Sequence, residues 1–244
     1  MVSAPSRHAA FYRDALSPLA RQGGFQRILV AGSADYSMLA HVLWVYRLEE
    51  AETDITVVDE CETPLALCRW YADRLAVRIA TRSADIVKFK VEQPFDVICT
   101  HSLLGRIAPA GRPALLGSFR RLVREGGKIV TVNRIAPDPV DEIVSFTESQ
   151  VWAFRNKALV SAESMASRLA IDPNEIGDAA AEYARRYRNF PIHSREELLQ
   201  LFVHAGFSMD GTQFTRGSGE NTGPSTKQDA EYALVIAECE AGRV

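Results

Sequence analysis

The chain has 244 residues, 47% of them hydrophobic and 24% charged, with a formal net charge of −3. That balance excludes a disordered chain and supplies enough length to bury a core without covalent staples. It also lacks the basic excess of a nucleic-acid scaffold, so no nucleic-acid partner is expected. Four cysteines, Cys61, Cys68, Cys99 and Cys239, form no CxxC pair and no zinc-type cluster, so free thiols in a reducing cytosol and no metal site are expected. No apolar stretch is long enough to span a bilayer. The first residues carry Arg7, Arg13 and Asp14 where a signal peptide needs an apolar run. A cytoplasmic protein without a membrane partner is expected.

Ser6 to Ala20 reads as a helix, with Phe11, Ala15, Leu16 and Leu19 on one face. Arg27 to Ala31 is a continuously apolar strand, as a strand covered on both faces should be. Gly32 to Asp35 is a turn, and Tyr36 to Leu48 a helix. Asp54 to Asp59 is a strand ending in an acid. A helix opened by Pro64 runs to about Leu75. Val77 to Ala80 reads as a short strand, followed by Ser83-Ala84-Asp85. Phe95 to Thr100 is a strand, Pro113 to Arg124 a helix ended by Gly126-Gly127, and Lys128 to Asn133 a strand. This alternation predicts an α/β fold with a mostly parallel sheet and ligands at the carboxyl ends of the strands.

Asp138 to Arg188 breaks the rhythm with a helical insertion, taken as 138–193 in full. Ser194 to Ala205 is a helix with an S-x-x-E cap. Two strands follow, about Met209 to Thr215 and Glu231 to Glu238. The Gly-, Ser- and Asn-rich stretch from Gly217 to Ser225 reads as a loop.

Three turns carry candidate chemistry. Gly32, after a buried strand and before a helix, lets a ligand approach the backbone and the helix N-terminus, although an ordinary tight turn has the same pattern. Asp59 can accept both ribose hydroxyls of a nucleoside, or cap the next helix; Glu60 could do the same work. Asp85 could accept from an adenine amino group, or be a solvated loop acid.

Together these turns resemble the class I S-adenosylmethionine (AdoMet)-dependent methyltransferases across nearly the whole chain. Phe95 to His101, Leu116 to Asn133 and the Ala205-Gly206-Phe207 ending add to the likeness. The resemblance implies one Rossmann-like domain over 1–244. Its seven-stranded, mostly parallel sheet has helices on both faces and an antiparallel last strand. Residues 1–22 would form a helical lid. It implies that Gly32, Ser33 and Ala34 line the methionine part of AdoMet and Asp59 holds the ribose with Glu60 beside it. Asp85 and Ile86 would face the adenine, with Thr100 and His101 beneath the sulfonium. The glycine motif is atypical: Val30, Ala34 and Tyr36 stand where an acid and two glycines are usual, and Asp35 could take the AdoMet amino group instead.

Methyl transfer is an in-line displacement that needs alignment and, for oxygen or nitrogen acceptors, a base. His101 is the candidate base; the alternative is a histidine hydrogen-bonded in a loop. The insertion and the lack of basic excess favour a small-molecule acceptor. Arg185, Arg186 and Arg188 are candidates for an anion, or a solvated face. A second reading keeps AdoMet but attacks its aminocarboxypropyl chain, as in azetidine-2-carboxylate synthases, with Tyr12 or Tyr187 stabilising the cation. A third is a non-catalytic AdoMet-binding partner. The oligomeric state stays open; the N-terminal helix suits a lid or a homodimer contact.

Overall fold

The structure, a computed structural model, describes residues 5–136, 143–218 and 229–241. In β1 (Arg27–Ala31) every residue from Ile28 to Ala31 is buried. A strand apolar on both sides needs cover on both sides. Ile28 and Val30 pack under α1 (Ala9–Gln22), α2 (Ser37–Leu48) and α3 (Glu62–Arg74), through Tyr12, Leu16, Leu39, Val42 and Leu65. Leu29 and Ala31 pack on α4 (Arg112–Leu122) and α7 (Arg195–His204), through Leu115, Phe119, Leu198 and Phe202.

The other strands are β2 (Asp54–Asp59), β3 (Ala80–Ser83), β4 (Phe95–His101), β5 (Val123–Ile135), β6 (Phe207–Ser208), β7 (Gln213–Ser218) and β8 (Asp229–Cys239). They form one sheet in the order β3-β2-β1-β4-β5-β8-β6, with β7 also on β8. β1 to β5 pair in parallel and β8 runs antiparallel to β5. Strand order reverses between β1 and β4, which opens a crevice at their carboxyl ends. At the amino ends Asp96 accepts from the Gln26 and Arg27 amides and pairs with Arg124 at 2.6 Å.

Three elements differ from the sequence expectations. The third strand begins at Ala80, not Val77. Ala76 is left-handed (φ 51°) and the Val77 N–H donates to the Ala72 carbonyl, so Val77 to Ile79 form the exit from α3. Their apolar side chains pack on the core instead of marking a strand. Seven expected strands become eight because one edge strand is interrupted. β6 and β7 pair with the same strand, Phe207 opposite Cys239 and Gln213 opposite Leu234, and a turn closed by Thr212 N–H to the Met209 carbonyl separates them. The expected strand from Met209 therefore starts at Gln213. The Gly126-Gly127 turn lies within β5, where the pairing with β4 shifts register; a side chain at Gly127 would meet Val123 at 2.6 Å and the Asp96 carbonyl at 2.8 Å.

In the insertion α5 (Glu148–Glu163) and α6 (Pro173–Arg186) pack through Val151, Ala181 and Ala184. Thr147 and Gln150 make a capping box at the start of α5. Single bridges, Ile135 with Ile192 and Val144 with Asn189, join the segment to the sheet. Its residues 138–142 lie outside the described residues. So does most of the expected loop; its first residues, Gly217 and Ser218, continue β7.

Candidate functional site

Gly32 is left-handed (φ 66°), which turns the chain sharply after β1, and its N–H donates to the Val58 carbonyl at 3.0 Å. The next amide, of Ser33, donates to the Asp59 carboxylate, which also accepts from Cys61 N–H at 2.7 Å. Burial raises the Asp59 pKa above the usual carboxylate value, and these two amides oppose the rise. Ser33 is buried and its Oγ has no hydrogen-bond partner. Gly32, Ser33 and Asp59 are thus one hydrogen-bonded group at the crevice; Ala34 and Glu60 are exposed beside it.

Asp35 and Tyr36 turn to other work. The Asp35 carboxylate caps α2, accepting from Ser37 N–H at 2.7 Å. The Tyr36 ring stacks on Tyr71 of α3, with centroids 4.7 Å apart and planes at 14°. Asp85 caps its own turn through Val87 N–H at 2.9 Å and pairs with Lys88 at 3.5 Å. The Ile86 carbonyl accepts from Ser118 of α4 at 2.6 Å, which anchors that turn.

At the end of β4 the Tyr12 hydroxyl lies 3.0 Å from the Thr100 carbonyl and 2.8 Å from His101 Nδ1. Tyr12 has one proton to give. When it goes to the carbonyl, which only accepts, His101 donates from Nδ1 and its Nε2 carries the lone pair. Burial, with His8 and His41 adding like charge, pushes the His101 pKa down to about 3, so the ring is neutral at neutral pH. Tyr12 is fully buried and its own pKa is raised well above the ordinary value, chiefly by burial. Tyr187 belongs to a different group, with rings of Phe146 and Tyr183 and the Arg106 guanidinium 4.5 Å over its face.

No family model and no curated protein matches the chain. Solved structures do. An AdoMet-dependent methyltransferase from Methanosarcina mazei is 14% identical with a TM-score of 0.55, covering 88% of this chain and 93% of that one. Geranyl diphosphate methyltransferase is 14% identical at 0.57, covering 96% and 85%. The N-methyltransferase NodS from Bradyrhizobium japonicum, solved with S-adenosyl-L-homocysteine, is 11% identical at 0.56, covering 98% and 90%. The chain has the AdoMet-dependent methyltransferase fold.

In this methyltransferase fold several residues at the crevice escape a sequence reading. Ser102 is left-handed (φ 54°) with a buried, unpartnered Oγ. Leu103 packs so closely on the glycine turn that a Cβ at Gly32 would lie 2.7 Å from its Cδ1. Arg112, 1% exposed, donates to the Leu104, Phe190 and Pro191 carbonyls and pairs with Glu197 at 2.6 Å. It fastens the loop after β4 to the end of the insertion. Of the arginines expected to meet an anion, Arg185 pairs with Glu148, Arg186 with Glu182, and Arg188 donates to the Arg185 and Tyr187 carbonyls. Among the described residues no group of three or more His, Cys, Asp or Glu is arranged to hold a metal, and no helix is long and apolar enough to cross a membrane.

Proposed function

We propose that the chain is an AdoMet-dependent transferase that methylates a small molecule by in-line displacement at the sulfonium methyl. The observation that carries the reading is the Asp59 carboxylate, held by the Ser33 and Cys61 amides beside the left-handed Gly32 turn, at the point where strand order reverses. Two fixed donors leave the carboxylate lone pairs for a vicinal diol. Gly32, Ser33 and Ala34 then face the methionine end, Asp85 and Ile86 the adenine, and Thr100 and His101 the sulfonium.

The site supplies alignment more than proton transfer. A histidine with a pKa near 3 holds a proton poorly at neutral pH. His101 therefore acts by accepting a hydrogen bond and orienting the acceptor, with Tyr12 fixing its tautomer. The test is incubation with AdoMet alone and with candidate acceptors, products identified by mass spectrometry. S-adenosylhomocysteine with a methylated acceptor is the expected outcome. Methylthioadenosine would move the reaction to the aminocarboxypropyl chain, and failure to bind AdoMet would remove the reading altogether.

A further inference from the structure

His8 ends the short 3-10 turn Pro5–His8 and stands at the N-cap of α1. A polar side chain there commonly accepts from the first amides of the helix. The His8 imidazole makes no such bond. It lies four residues before Tyr12, one helical turn away, and both rings reach the end of β4. The Tyr12 hydroxyl lies 2.8 Å from His101 Nδ1, and the His8 and His101 ring centres are 5.6 Å apart. Tyr232 of β8 also meets His8, with ring centres 4.8 Å apart, and His41 of α2 stacks on Tyr12 at 5.8 Å and 23°.

The two histidines at this rim have different surroundings. His101 is tied to Tyr12 through Nδ1, whereas His8 Nε2 is buried without a hydrogen-bond partner. Such a group is costly, and a polar ligand relieves it. Two imidazoles 5.6 Å apart leave room for one heteroatom between their nitrogens, at about 2.7–3.2 Å from each. Burial and the Arg7 charge lower the His8 pKa, so the ring is unprotonated at neutral pH and able to take a proton. The other titratable or charged groups around it are Tyr12, His41, His101 and Tyr232, with Arg134 in register beside Tyr232. None of these is a carboxylate.

We propose that His8 is a catalytic base, accepting the proton of an O–H or N–H acceptor whose heteroatom sits between His8 and His101. This rests on the methyl-transfer reading and adds the acceptor's class and the fate of its proton. The sulfur–methyl bond breaks with its electron pair left on sulfur, and the oxygen or nitrogen bonds the carbon. The acceptor proton passes to His8 Nε2. The sulfonium charge disappears as the imidazolium charge forms, so the net charge of the pocket is unchanged. His8 is half-buried, and from there the proton returns to solvent.

The experiment assays wild-type protein and His8→Gln with AdoMet and three probe acceptors, phenol, benzylamine and thiophenol, with products identified by mass spectrometry. At pH 8 thiophenol is a thiolate and brings no proton to the site. The wild type methylates phenol or benzylamine, which assigns oxygen or nitrogen as the accepting atom. His8→Gln keeps a polar side chain that cannot hold the proton. Its kcat on that probe falls about hundredfold. KM, the thiophenol rate and S-adenosylhomocysteine affinity, which together report folding, are unchanged. The wild-type rate on phenol falls as pH drops through the lowered His8 pKa. His101, near 3, lies outside that window, and loss of the limb in His8→Gln separates His8 from His41, whose pKa burial also lowers. If His8→Gln does not fold, His8→Asn takes its place. Equal phenol or benzylamine rates in wild type and variant, equal slowing of thiophenol, or methylation of thiophenol alone would overturn the inference and leave the methyl-transfer reading standing. Failure of all three probes, or no binding of S-adenosylhomocysteine, is failure of that reading and takes the inference with it.

Discussion

In the proposed AdoMet site Asp59 is the carboxylate that would hold the ribose, and its environment would give that contact a pH dependence. Only the ionised form accepts from two ribose hydroxyls. Because burial raises its pKa, AdoMet affinity should begin to fall at a higher pH than an ordinary aspartate would dictate. Calorimetry from pH 8 to pH 5 measures this, and Asp59→Asn should give the weakened affinity at every pH. His101 sets a second titration, in stability. Its folded pKa of about 3 lies below the ordinary 6.5, so the unfolded chain binds the proton first. The stability it contributes is present above 6.5 and is lost as pH falls from there toward 3. Urea midpoints should drop on acidification, and less steeply in His101→Gln. Gly32→Ala combines a left-handed backbone, at about 1–2 kcal/mol, with a contact against Leu103. Adding Leu103→Ala should recover only the steric part.

Among the elements, Arg112 is where removal should tell most. Arg112→Met strips donors from buried carbonyls at roughly 1–3 kcal/mol each, while Glu197, a third exposed, returns to water. The expected loss is roughly 2–4 kcal/mol by denaturant unfolding. Faster proteolysis within 143–193 would mark the freed insertion. Nothing local in the sequence marks this arginine, because Phe190, Pro191 and Glu197, which hold it, lie far along the chain. By contrast β1 and β2 were legible to the residue: β1 is an apolar run buried on both faces, and β2 is a β-branched run ending in an acid. β3 was not, since Val77 and Ile79 bury their side chains from a helix exit as well as from a strand. The interrupted edge of β6 and β7 depends on the approach of Gly211 to Ile236, where a Cβ would meet the Ile236 carbonyl at 2.8 Å, a contact no local pattern encodes. The same limit holds at the site. Asp59 was legible as a strand-end acid, but the use of Asp35 as a cap and of Tyr36 as a stacking partner for Tyr71 depends on where α2 and α3 come to rest.

At the scale of the molecule the polar ties divide between the two ends of the sheet. Asp96, Arg27 and Arg124 close the amino ends, while Ser33 and Ser102 leave buried hydroxyls without partners near the carboxyl ends. Unsatisfied buried groups are costly in a folded protein and mark where a polar ligand belongs. A ligand bound only by the folded chain stabilises it by about 2.7 kcal/mol at a hundred times its Kd, so AdoMet should raise Tm in a concentration-dependent way. The most direct test is calorimetric titration of AdoMet into the wild-type protein and into Asp59→Ala. Saturable one-to-one binding in the wild type, weakened at least about tenfold in the variant, is the predicted result. No binding to the wild type, or equal binding to both, would contradict a cofactor site built around Asp59.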